Sequence, residues 1–141
     1  MIILDTNVVS ELMRPTPTPA VSTWLRQQRD GDLYTTAITV AEIRYGIARL
    51  PDGSRRTALT QAAGEIFAAF PEQVLPFDLA AAEAYAALVA HRDTLGMPID
   101  GFDAQIAAIA RTHAATLATR NTKDFLQTGI ALTDPWEPQP R

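Results

Sequence analysis

Apolar and polar positions along the chain follow two periods, and these lay out the elements. Ile2–Leu4 is a short apolar run ended by the charge of Asp5, the form of a buried strand. Residues 7–13 predict a short helix, stopped by prolines at 15, 17 and 19. Residues 21–28 carry Val21, Trp24 and Leu25 at helical spacing. Asp30-Gly31-Asp32 is a turn signal ahead of the β-prone stretch Leu33–Thr36. Residues 39–50 place Val40, Ile43, Ile47 and Leu50 on one helical face. After the turn Pro51-Asp52-Gly53, residues 54–70 predict an amphipathic helix that Pro71 ends.

The second half repeats the alternation. Residues 74–77 predict a strand, and 79–95 an alanine-rich helix closed by Gly96. A further helix is predicted over 100–114, a strand over 116–119, a short helix over 122–127 and a last strand over 130–132. Strands alternating with helices imply one α/β domain with a mostly parallel sheet, taken as residues 1–136, with 137–141 as a flexible tail. In such sheets ligands gather at the carboxyl ends of the strands, near a topological switch point.

Composition narrows the chemistry. The chain's 141 residues suffice for a single core. It has no cysteine and two histidines, His91 and His113, so thiolate sites are excluded and a zinc cage is not expected. Any metal must be held by oxygen, which favours Mg²⁺ or Mn²⁺. No apolar run spans a membrane and no signal segment opens the chain, so a cytoplasmic protein is expected. The net charge of -4 weighs against a nucleic-acid binder, unless bound cations invert the local sign at a cluster of acids.

Asp5, Glu42, Asp103 and Asn121 all fall at the starts of expected helices, after or close to a strand. Each also has a local explanation. Asp5 can cap a helix, and Thr39–Glu42, Asp100–Asp103 and Asn121–Asp124 each have the spacing of a capping box. Taken together, however, these positions share one rim of a parallel sheet. Carboxylates crowded there repel unless a cation neutralises them or their pKa values rise. Thr6 and Thr119 can orient site groups, Asn7 can bond Asp5, and Arg120 and Lys123 flank the rim as candidate phosphate contacts.

The segments MIILDTNVVSEL, TTAITVAEIRYGIARL, DGFDAQIAAIA and LATRNTKDF resemble the successive signature blocks of PIN-domain proteins, in the family's order and spacing. The likeness is greatest to VapC- and FitB-type toxins and extends to the ending ALTDPW. It implies a three-layer α/β/α Rossmann-like fold and a toxin that hydrolyses RNA with Mg²⁺ or Mn²⁺. The family's first three acids fall on Asp5, Glu42 and Asp103. Its fourth position is Asn121, where similar relatives often have Asp, and Asp124 one turn on is a substitute ligand.

The resemblance also implies a small antitoxin, encoded nearby, in a groove between residues 8–12, 21–25 and 43–50. It implies a homodimer, for which 80–88 with 106–110 is the expected surface. Two rival readings stay open. A phosphotransfer enzyme of the HAD type would also place an aspartate after its first strand, but it needs a second two residues on, where Asn7 stands. A PIN-fold interaction module with weak catalysis would tolerate Asn121.

Overall fold

The computed structural model describes residues 1–138, so the last three positions of the expected tail, 139–141, lie outside the described residues. Five parallel strands form the sheet in the order β3-β2-β1-β4-β5. They are β1 (Ile2–Leu4), β2 (Leu33–Thr36), β3 (Val74–Leu75), β4 (Thr116–Ala118) and β5 (Ala131–Thr133). The chain leaves β1 for β2 on one side and later reaches β4 on the other. The crevice between β1 and β4 is therefore the switch point.

Alternation along the strands feeds two cores. Ile3 and Leu117 are buried against α5 (Leu79–Thr94) and α6 (Gly101–Thr112), together with Leu88, Ile106, Ile109 and Phe125. Their neighbours Leu4 and Ala118 point to the opposite face. There they meet Val8 and Val9 of α1 (Thr6–Leu12), Trp24 of α2 (Pro19–Arg26), Ile43 and Ile47 of α3 (Ala37–Ala48) and Ala63 of α4 (Ser54–Ala68). Period-two burial on short strands thus gives three layers, helices on both faces of a parallel sheet. Trp136, after β5, packs on the second core. No helix among the described residues is long and apolar enough to cross a membrane.

Several boundaries differ from the sequence reading for local reasons. α3 begins at Ala37, because Thr36 accepts from Thr39 N–H and is the cap in place of Thr39. The expected helix over 122–127 is a 3-10 turn, Thr122–Phe125. Pairing in β3 stops at Leu75, and the next residue, Pro76, has no N–H for the ladder. Gly96 does close α5: its φ of 66° suits glycine, and Met97 N–H then reaches back to Arg92 O at 2.9 Å.

Two expected surfaces are corrected. Residues 106–110, assigned to a dimer face, are wholly buried within the chain between the sheet and α5. The expected antitoxin groove included residues 8–12 and 21–25, but Val8, Val9, Val21 and Trp24 are core. An open groove lies between α1, α3 and α4, a space of about 420 Å³ lined by Ser10, Met13, Ile47, Leu50 and Leu59, with Glu42 and Thr6 among its walls, so Ser10 and the expected segment 43–50 border it and 21–25 does not.

Candidate active site

Asp5 leaves β1 directly into the switch-point crevice and is 4% exposed. Its Oδ1 accepts from Thr6 N–H at 2.8 Å. Its Oδ2 accepts from the Thr119 hydroxyl at 2.8 Å and from Asn7 Nδ2 at 3.4 Å. Thr119, fully buried after β4, also accepts from Asn7 Nδ2 at 3.2 Å and from Asn121 N–H at 3.1 Å. Asn7 Oδ1 in turn accepts from Arg120 N–H at 3.2 Å. These bonds tie the ends of β1 and β4 together at the crevice.

A second network serves Glu42. Thr6 Oγ1 donates to Glu42 Oε1 at 2.9 Å and lies 3.1 Å from Thr39 Oγ1. Thr36 Oγ1 donates to Thr39 Oγ1 at 3.4 Å. Each hydroxyl has one proton, so with Thr6 committed to Glu42, Thr39 must donate to Thr6. The proton order runs Thr36, Thr39, Thr6, Glu42, and it ends on a carboxylate. Glu42 is therefore not the capping partner of Thr39 that the sequence spacing suggested. It sits more than a turn inside α3 and faces α1.

Asp103 enters from α6. Asp100 caps that helix, accepting from Phe102 N–H at 3.0 Å and Asp103 N–H at 3.4 Å. Burial pushes the Asp103 carboxyl up to about 7, and the charges of Asp5, Asp100, Glu42 and Asp124 push in the same direction. Glu42 is also raised, first by burial and then by Asp5 and Asp100, against the bond from Thr6. Asp5 is raised by burial, against its bonds from Thr119 and Thr6, with a further push from Asp124. Five carboxylates from four parts of the chain thus share one field.

The remaining expected residues divide. Asn121 is exposed, and its side chain makes no capping bond to the 3-10 turn. Asp124 belongs to the acidic field through its effect on Asp5 and Asp103. The Arg120 guanidinium lies over the Trp136 ring at 5.0 Å, and Lys123 is exposed on the turn. His91 and His113 are exposed on helix ends. Arg44 lies over Phe67, Arg49 over Tyr45, and Arg56 pairs with Asp52, so these three arginines have local partners.

Sequence reasoning missed the contributions of four residues. Thr39 read as an ordinary cap and Thr36 as the end of a strand, because their hydroxyl relay crosses to α1. Asp100 read as a cap alone, although it also adds charge to the rim. Arg92 was not singled out at all. It is 4% exposed, and its guanidinium is spent on main-chain carbonyls.

A parallel sheet whose switch point gathers acids from β1, α3 and α6 defines the PIN class of domain, and the PIN-domain family matches residues 2–130. The chain belongs to that family, within its VapC and FitB toxin ribonucleases. It is 46% identical to the VapC ribonuclease Y4jK of Sinorhizobium fredii over 139 residues, covering 98% of this chain and 99% of the relative. It is 41% identical to toxin FitB of Neisseria gonorrhoeae over 137 residues, covering 96% and 99%. The solved structure of FitAB bound to an IR36 DNA fragment superposes with a TM-score of 0.91 at 40% identity, covering 99% of this chain and 98% of that one.

Proposed function

We propose that this chain is the toxin of a toxin–antitoxin pair and cuts RNA endonucleolytically with Mg²⁺ or Mn²⁺ held by Asp5, Glu42 and Asp103. One observation carries the reading. Asp5, Glu42, Asp100, Asp103 and Asp124 share one field, yet none of them pairs with a basic side chain among the described residues. Such a set is stable as anions only beside a cation. Its donors are all hard oxygens, which fits Mg²⁺ or Mn²⁺. No three of the acids already converge on one point that could hold an ion among the described residues, so they form a rim rather than a closed cage.

When bound, the ion supplies Lewis-acid charge that offsets the charge developing on a phosphodiester under attack by water. The chain's own residues prepare that site. Thr119 and Thr6 N–H fix both oxygens of Asp5, and the threonine relay orients Glu42 and opposes the upward push of burial on its carboxyl. Asp103 must release its proton before it can serve a cation, which links metal binding to pH. Asn121, in the family's fourth position, offers a neutral oxygen, with Asp124 as the nearby carboxylate. Arg120 and Lys123 at the rim suit phosphate contacts of the RNA. The ends left are a 5′-phosphate and a 3′-hydroxyl.

The antitoxin reading rests on the groove between α1, α3 and α4. Its walls are mostly apolar, with Arg14 and Arg55 also lining it and Glu42 standing among them, so an apolar helix could seat there and direct a basic side chain to the acids. The relatives named above include a toxin, FitB, and the solved assembly FitAB. The decisive test is cleavage of total RNA by the purified chain with Mg²⁺. Cleavage that stops in EDTA and with Asp5→Asn, while that variant keeps its fold, supports the reading. Full activity in excess EDTA overturns it.

A further inference from the structure

Arg92 is the most deeply buried cation described in the chain, 4% exposed near the end of α5. Its Nε donates to Met97 O at 2.6 Å, and one terminal nitrogen donates to Pro98 O at 3.4 Å. The other terminal nitrogen donates to Asp124 O at 3.0 Å and to Leu126 O at 2.7 Å. Every one of these acceptors is a main-chain carbonyl. A guanidinium taken out of water normally meets a carboxylate, because an unpaired buried charge is costly.

The nearest acids are not bonded to it, but they share its cavity. A space of about 210 Å³ is lined by Arg92, Pro98, Ile99, Asp100, Asp103 and Asp124. The carbonyls that Arg92 holds belong to two segments that carry rim acids. Met97 and Pro98 lead into Asp100 and α6, while Asp124 lies in the 3-10 turn and Leu126 follows it. One planar fork therefore fixes the spacing between these two segments, and it lines the same cavity as the acids. Lysine could match the charge but not the fork.

We infer that Arg92 is a positioning residue for the acidic rim, tying together the two segments that carry Asp103 and Asp124 so that these carboxylates could serve one divalent cation. The inference rests on the metal-nuclease reading above, and Asp103→Asn serves as the reference for that reading. Outer residues that orient ligands typically change metal affinity by about 10–100-fold when lost.

The test uses Mn²⁺ as the probe, with free ion followed by electron paramagnetic resonance, on wild type, Arg92→Lys, Arg92→Ala and Asp103→Asn. Thermal unfolding without metal is recorded for each. The expected result is Mn²⁺ affinity at least about tenfold weaker in Arg92→Lys and Arg92→Ala at temperatures where both are folded. RNA cleavage should lose kcat with little change in KM, and methylguanidinium should recover part of the Mn²⁺ binding in Arg92→Ala by occupying the vacated cavity.

A measurement on the unmutated chain stands even if the variants do not fold. Mg²⁺ should shift the Arg92 Nε–Hε resonance with the same midpoint as its binding. Wild-type Mn²⁺ affinity in a folded Arg92 variant overturns the inference, as does an Arg92 resonance indifferent to Mg²⁺. If Asp103→Asn also binds Mn²⁺ as wild type does, the metal-nuclease reading itself falls.

Discussion

The Thr119 hydroxyl donates to Asp5 Oδ2 at 2.8 Å and so joins the ends of two neighbouring strands across 114 positions of sequence. A hydroxyl has one proton and two lone pairs. With its proton given to Asp5, Thr119 can accept from Asn7 Nδ2 and Asn121 N–H, and it does both. The orientation of Asp5 is thus set by a residue whose own geometry is fully determined.

Replacing Thr119 by valine keeps the shape and removes the hydroxyl. Asp5 loses its strongest side-chain donor, and Asn121 N–H loses its acceptor. Thr119→Val should cost about 1–3 kcal/mol of stability and lower Mn²⁺ affinity and cleavage by about 10–100-fold. Thr119→Ser should recover most of both. Calorimetric unfolding and metal titration together check this, and a valine variant with wild-type cleavage would show that the bond is not used.

The acidic rim gives the metal-free chain a definite pH response. Asp103 sits at about 7 when folded against 3.8 ordinarily, and Asp5 and Glu42 are raised too. Between about pH 4 and 7 the folded chain holds protons that the unfolded chain has released. The unfolding free energy therefore falls as pH rises through that window and levels off above it. Glu11 acts oppositely: its bonds from Thr18 lower its pKa, so its contribution is lost in acid. In EDTA, Tm should be higher near pH 5 than near pH 8, and saturating Mg²⁺ should remove the decline. A metal-free Tm that does not fall over this window would count against the coupled rim.

Much of this site was legible from residue order, and the illegible part has a common cause. The strand ends and helix starts follow from apolar period and cap residues, so Asp5 and Asp103 were placed by local rules. Glu42 was placed in the site by resemblance, while local spacing misread it as a capping partner. The true cap is Thr36, three residues earlier, and both candidates are threonines. The burial of residues 106–110 was missed because alanine-rich helices look alike whether they face a partner or α5. Arg92 was invisible because its acceptors are carbonyls, which carry no sequence signature.

Asn121 provides a gain-of-function test. It is exposed at the end of β4's connection, its N–H fixed by Thr119 and its side chain without a capping role. Asn121→Asp adds a sixth charge to a rim that already lacks cationic partners. Mn²⁺ affinity should rise by about tenfold, equivalent to ~1.4 kcal/mol. Metal-free stability should drop through added repulsion. Cleavage at limiting Mn²⁺ against Asn121 concentration-matched wild type reads the effect, and an unchanged metal midpoint would place this side chain outside the site.

The groove beside Glu42 can be tested without touching the acids. Gly46 lies one helical turn beyond Glu42 on α3, lines the groove, and has nothing within 4 Å of where a side chain would begin. A glycine inside a helix costs about 0.8–1.0 kcal/mol relative to alanine, so its presence here is explained by the open surface it leaves. Gly46→Leu should fold well and raise Tm by about 2–4 °C per kcal/mol gained. It fills the channel through which an apolar helix would lie, so the neighbouring antitoxin should bind about a hundredfold more weakly, near 2.8 kcal/mol. RNA cleavage by the free chain should persist, because the substitution leaves Asp5, Glu42 and Asp103 in place. Co-expression therefore separates the two roles: the variant should remain toxic where the wild type is silenced. Normal rescue of Gly46→Leu by the antitoxin would move the docking surface away from this groove and leave the nuclease assignment intact.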